Sequence, residues 1–170
     1  MAGVLEELKW EGKSTAKCQG PKPHQVWSVL IDDFCDLHRW LPSLDRCHQV
    51  DGVKGEVGLV RYVASVDPAD SGEEKKVKNW CNERLVSVDH RERCLSYQVL
   101  DNNMGIEGYV ATLKVFPAAD GDGDDAGCRI EWSYVADPIV GMTGEEFFGF
   151  IASNLQGMVG TLQKAFPLDP

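Results

Sequence analysis

Three residues able to hold or move a proton stand in strand-like stretches of this 170-residue chain. Arg61 lies in "GLVRYVASV" (58–66), Glu83 in "VKNWCNERLVSV" (77–88) and Tyr109 in "IEGYVATLKVF" (106–116). A guanidinium in an otherwise apolar run calls for a partner. Alternation puts Glu83 on one face with Cys81 and Leu85, and Arg84 on the other with Trp80 and Val86. Tyr109 shares its face with Ala111, Leu113 and Val115. If the first two stretches are hairpin partners, the loop centred on Asp70 brings Arg61 and Glu83 into opposed or diagonal positions, within reach of one another. The pair then offers a fixed cation and a carboxylate that can carry a proton. Alternation leaves two placements open: the concave face of a sheet, or an exposed ion pair on the convex face.

The elements that position these residues follow from pattern and punctuation. "LEELKWEGKSTAKC" (5–18) reads as a first strand anchored by Trp10 and Ala16. After Pro21 and Pro23, "HQVWSVLIDDF" spaces Val26, Trp27, Leu30, Ile31 and Phe34 as a helix, and "DLHRWLPSL" predicts a second short helical piece stopped at Pro42. From there to residue 136 apolar alternation is broken by polar turns, predicting strands at 47–51, 57–66, 77–88, 93–101, 106–117 and 127–136. "TGEEFFGFIASNLQGMVGTLQKAF" (143–166) opens with a capping box, Thr143 and Glu146, and carries Phe147, Ile151, Leu155, Met158, Leu162 and Phe166 at helical steps. The expected fold is α+β: one domain over residues 1–170, a seven-stranded antiparallel sheet curved around a long C-terminal helix, with two short helices after strand 1. A sheet that grips a helix leaves an internal hydrophobic cavity between them.

Composition narrows the partners. A formal charge of −10 disfavours nucleic acid and anionic lipid surfaces. Cys18, Cys35, Cys47, Cys81, Cys94 and Cys128 form no C-x-x-C pair, and "MAGVLEELKWEG" lacks the apolar core of a signal peptide, so free thiols and a cytoplasmic location are expected. No apolar run is long enough to span a membrane. "DGDGDDAGCRIE" places Asp120, Asp122, Asp124 and Glu131 at EF-hand positions, yet Asp125 occupies the glycine position and both flanks read as strand, so an acidic hairpin loop is expected there. "DGVKGEVG" lacks the lysine and hydroxyl of a phosphate loop. His24, His38, His48 and His90 have no ligand spacing, and no metal site is expected.

The order of elements carries a resemblance, together with "WEGK" at Trp10, "LHRWLPSL" from Leu37, "VRYV" from Val60, "NERLVSVD" from Asn82, "GYVATLKV" from Gly108, "EWSYV" from Glu131 and "GMTGEEF" from Gly141. The chain resembles the plant lachrymatory-factor synthase-like proteins of the polyketide cyclase/dehydrase and lipid-transport superfamily, which includes START domains and the birch-pollen allergen. The resemblance implies a helix-grip fold whose cavity performs chemistry without a cofactor, rearranging an alkenyl sulfenic acid into a thial S-oxide. By motif it assigns the catalytic roles to Arg61, Glu83 and Tyr109 and a pocket position to Tyr97 in "LSYQV", and favours the concave placement of the ion pair. Trp132, Ile151, Asn154 and Leu155 are the further expected lining residues.

The implied activity is that of an isomerase or cyclase acting on a small, mostly apolar metabolite. Arg61 would hold an oxygen-bearing head, Glu83 would shuttle the proton, and Tyr109 would orient the group. The substrate carries over less readily, because "DPADSGEEKKVK" is longer than in the synthase and Ala152, Ser153 and Asn154 replace a bulky aromatic. A non-catalytic binder or carrier of hydrophobic molecules would use the same cavity. A hormone receptor would need gate and latch motifs, for which "DPADSG" and "DNNMG" stand instead.

Overall fold

The computed structural model describes residues 8–69, 75–118 and 127–167. Strand β1 (Trp10–Cys18) leads into helix α1 (Pro23–Asp32) and a 3-10 helix (Phe34–Arg39). Six strands follow: β2 (Arg46–Asp51), β3 (Val60–Val66), β4 (Val77–Asp89), β5 (Cys94–Asn102), β6 (Val110–Pro117) and β7 (Cys128–Ala136), then helix α2 (Gly144–Ala165). The strands form one seven-stranded sheet in the order β1-β7-β6-β5-β4-β3-β2, with every pairing antiparallel. The antiparallel meander is as the sequence predicts; the structure adds that β1 returns to pair with the edge of β7.

Several boundaries differ from the sequence reading, each for a local reason. Strand β3 begins at Val60 because Val57 and Gly58 lie in a turn closed by the Leu59 amide on the Glu56 carbonyl at 3.2 Å. Strand β6 begins at Val110, since Asn102 Oδ1 accepts from the Met104 and Ile106 amides at 2.9 and 3.0 Å and winds that segment into a loop. Gly108 leaves this loop at φ +64°, and a Cβ there would meet the Asp137 carboxylate at 2.9 Å. The second helical piece is the 3-10 helix at Phe34–Arg39, shorter and earlier than 36–44. Strand β1 begins at Trp10, with Leu8 and Lys9 outside it, while residues 5–7 of the expected strand lie outside the described residues, as does the acidic loop at 120–126. Its twelfth position, Glu131, sits on β7 and pairs with Lys13 at 3.5 Å.

Helix α1 starts at Pro23, whose preset φ suits the first helical turn, and the Lys22 amide donates to Gln25 Oε1 at 2.8 Å. Val26, Trp27, Val29, Leu30 and Ile31 are buried. Helix α2 begins with the expected reciprocal cap: the Glu146 amide donates to Thr143 Oγ1 and the Thr143 amide to Glu146 Oε1, both at 3.1 Å. Thr143→Ala removes half of this cap and should lower the unfolding free energy by about 1 kcal/mol in denaturant titration.

The 22 residues of α2 span about 33 Å at 1.5 Å per residue. Phe147, Ile151, Leu155, Met158, Val159 and Leu162 form its buried stripe, while Phe166 stacks on Trp40 with ring centroids 6.2 Å apart. The sheet curls toward this stripe. Strand β4 carries register shifts against β5 between Cys81 and Glu83 and again between Leu85 and Ser87, and such bulges bend and coil a strand. At the other edge, Gly12 lets the Tyr134 ring lie across β1, where a Cβ would stand 2.5 Å from the Tyr134 hydroxyl.

Candidate functional site

Arg61 and Glu83 are direct cross-strand partners on the concave face. They are 3% and 7% exposed, which settles the choice between convex and concave placement. Arg61 Nε donates to Glu83 Oε1 at 2.8 Å and Nη1 donates to the Phe34 carbonyl at 3.0 Å. The guanidinium carbon also lies 3.9 Å from the Phe34 ring centre and 4.9 Å from that of Tyr97. Two aromatic faces, a carboxylate and a carbonyl thus satisfy a cation withdrawn from water. Burial alone disfavours its charge, but Glu83 and the surrounding groups outweigh that and raise its pKa above the ordinary value.

The second feature is a chain of polar tips on β5, β6 and β7. Tyr97 stands opposite Ala111 and next to Leu85, and Tyr109 precedes β6, its carbonyl accepting from the Val99 amide at 3.0 Å. The two tyrosine hydroxyls are 3.2 Å apart, and Trp132 Nε1 donates to the Tyr109 hydroxyl at 3.3 Å. Burial, foremost, pushes both phenols up, Tyr97 well above its ordinary value. Both therefore keep their protons at neutral pH. Cys81, two residues before Glu83 on the same face, is likewise held as a thiol, first by burial and then by the Glu83 charge and hydrogen bond.

These groups border a cavity of about 140 Å³ between the sheet and α2. Glu83, Cys81, Val99, Tyr97, Tyr109 and Trp132 form the sheet side, and Phe147, Phe150, Ile151 and Asn154 the helix side. Leu37, Leu41 and Leu44 close one end, and Met104 and Ile106 from the β5–β6 loop another. Ser43 Oγ donates to Asn154 Oδ1 at 2.8 Å, and the half-exposed Phe150 ring stands near this pair at the mouth. Phe147 meets Tyr109 and Tyr134 edge-on, with centroids 5.9 and 5.0 Å away.

Of the residues nominated from sequence, Glu83, Tyr97, Tyr109, Trp132, Ile151 and Asn154 all line the cavity. Arg61 and Leu155 are not among its lining residues. Arg61 lies behind Glu83, its faces covered by Phe34 and Tyr97, and Leu155 is fully buried in the core. Sequence reasoning missed Cys81 and the loop residues Leu41, Leu44, Met104 and Ile106. Apolar side chains in polar turns such as "DNNMGIEG" were the available signal. Among the described residues, no three His, Cys, Asp or Glu side chains gather as a metal site.

Comparison with known proteins bears on this geometry. Residues 21–166 match the family described as polyketide cyclase / dehydrase and lipid transport. Among solved structures, the chain is similar to the Bacillus cereus protein XoxI, at 23% identity and a TM-score of 0.66 over 92% of this chain and 94% of that one. It is also similar to a Bacillus thuringiensis protein of the same 23% identity, with a TM-score of 0.65 over 92% and 98%. Major latex-like protein 151 of ginseng, Panax ginseng, is 12% identical with a TM-score of 0.69 over 94% and 99%. At these identities the likeness shows the shared helix-grip fold. No helix among the described residues is long and apolar enough to cross a membrane.

Proposed function

The chain belongs to the polyketide cyclase / dehydrase and lipid transport family, and on that footing we propose that it is a cofactor-independent isomerase or cyclase acting on a small, mostly apolar metabolite held in the cavity. The observation that carries this reading is Glu83, an ionisable side chain facing an otherwise largely hydrocarbon space and fixed by a buried Arg61. A carboxylate so placed can accept a proton from one atom of a bound molecule and return it to another, leaving the atoms of substrate and product the same. Tyr109 and Tyr97 supply hydroxyls that orient the reacting head. Arg61, which does not border the cavity, acts as a positioning residue: it fixes Glu83 through Nε and balances its charge.

Alkenyl sulfenic acid to thial S-oxide is the specific reaction within this class that the sequence motifs favour. There the proton leaves the S–O–H oxygen and reaches a chain carbon as the double bond moves from C=C to C=S, so the electrons balance within one molecule. The apolar walls favour carriage of a hydrophobic metabolite as the second reading. The deciding assay generates an alkenyl sulfenic acid in situ with and without the protein. Faster formation of thial S-oxide by the wild type, lost in Glu83→Gln, supports the isomerase. An unchanged rate with Glu83→Gln removes the proton shuttle, and absence of turnover by a protein that still binds small apolar molecules favours the carrier.

A further inference from the structure

We infer that the ligand of this cavity is a compact neutral molecule whose polar head both donates and accepts a hydrogen bond, a hydroxyl or enol, and that the cavity rejects carboxylates. The inference rests on the cavity being a ligand site, and it adds the chemistry of the ligand.

The first support is charge. Among the described residues, no Lys, Arg or His lines the cavity, whereas Glu83 does. Arg61 is 3% exposed, and its Nε and Nη1 already have partners in Glu83 and the Phe34 carbonyl. A carboxylate entering the cavity would therefore meet a like charge on the wall, with the Arg61 cation buried behind it and outside the lining.

The second support is a donor and acceptor count. Trp132 N–H, Tyr109 O–H and Tyr97 O–H bring three hydrogens to two hydrogen bonds. Whichever tyrosine donates to the other, one hydroxyl hydrogen remains unused on the cavity wall, and a buried donor needs an acceptor. Glu83 presents the opposite deficit. Its two oxygens offer about four acceptor sites, of which Arg61 Nε engages one. One oxygen atom bearing a hydrogen answers both needs, donating to Glu83 and accepting from the tyrosine.

The third support is size. The volume of about 140 Å³ is close to the roughly 150 Å³ of a cavity known to take up benzene. Benzyl alcohol, benzaldehyde and benzoate therefore form a matched probe set of donor-acceptor, acceptor-only and anionic heads on one ring.

The test titrates each probe at pH 7.5 and follows the Trp132 indole N–H by NMR, which reports from the cavity wall. Benzyl alcohol is expected to bind at least tenfold more tightly than benzoate and at least threefold more tightly than benzaldehyde. In Glu83→Gln, which removes the negative wall and leaves Arg61 without its counter-charge, the alcohol-to-benzoate ratio should fall at least threefold. Benzoate binding as tightly as benzyl alcohol to the wild type overturns the inference while leaving the cavity a ligand site. Benzaldehyde equalling the alcohol overturns the donor requirement, and this comparison needs no variant to fold. If none of the three perturbs the Trp132 signal up to millimolar concentration, both the inference and the ligand site beneath it are refuted. Alcohol preference combined with full turnover in Glu83→Gln refutes only the proton shuttle.

Discussion

Arg61→Met is expected to lower the unfolding free energy by about 3–5 kcal/mol, because it leaves a buried carboxylate without its counter-charge. Glu83 is 7% exposed and Arg61 3%, so water cannot readily replace the lost partner. Glu83→Leu should cost a similar amount by leaving the guanidinium unbalanced between Phe34 and Tyr97. The double replacement Arg61→Met with Glu83→Leu should be far less harmful than the sum, since it removes both charges and fills the space with hydrocarbon. Urea denaturation of the four proteins closes the cycle. Additive costs would mean that the two residues do not act as a pair. A double variant nearly as stable as the wild type would mean that the ion pair is maintained for something other than stability.

The second large effect concerns turnover. Positioned general acid-base groups contribute about 10²–10⁴-fold to rate, so Glu83→Gln should reduce kcat by that range under conditions where circular dichroism shows the variant folded. Arg61→Met, assayed in the same way, separates positioning from ligand contact. Arg61 does not line the cavity, so its loss should depress kcat through a misplaced carboxylate while changing KM less than threefold. A KM increase that exceeds the fall in kcat would show Arg61 gripping the ligand directly.

How legible this was in the sequence varies from residue to residue. Period-two alternation put Glu83 with Cys81 and Leu85, and all three are buried on one face; a strand's side chains cannot do otherwise. The capping box at Thr143 and the stripe from Phe147 to Leu162 were equally readable, because both are local patterns. The face of Arg61 was not readable. Val60, Val63 and Ala64 are all buried along with it, so both sides of β3 are apolar and alternation gives no sign. The concave placement came from the motif resemblance. That Arg61 lies behind Glu83 depends on the Phe34 carbonyl, 27 residues away in a 3-10 turn, and no spacing rule reports such a contact. The loop residues that close the cavity, Met104 and Ile106, were hidden because Asn102 winds their backbone into a turn through side-chain bonds. Pattern alone started a strand at Ile106 and left Met104 in a polar turn.

On the proposed function, Glu83 meets the polar end of a small ligand inside this cavity. A crystal structure of the wild-type protein with benzyl alcohol tests it most directly. The ring is expected between Phe147, Ile151 and Val99, with the hydroxyl oxygen about 2.6–3.2 Å from a Glu83 carboxylate oxygen and within reach of a tyrosine hydroxyl. A ligand whose oxygen lies on Arg61, or one seated outside the space between the sheet and α2, would contradict it.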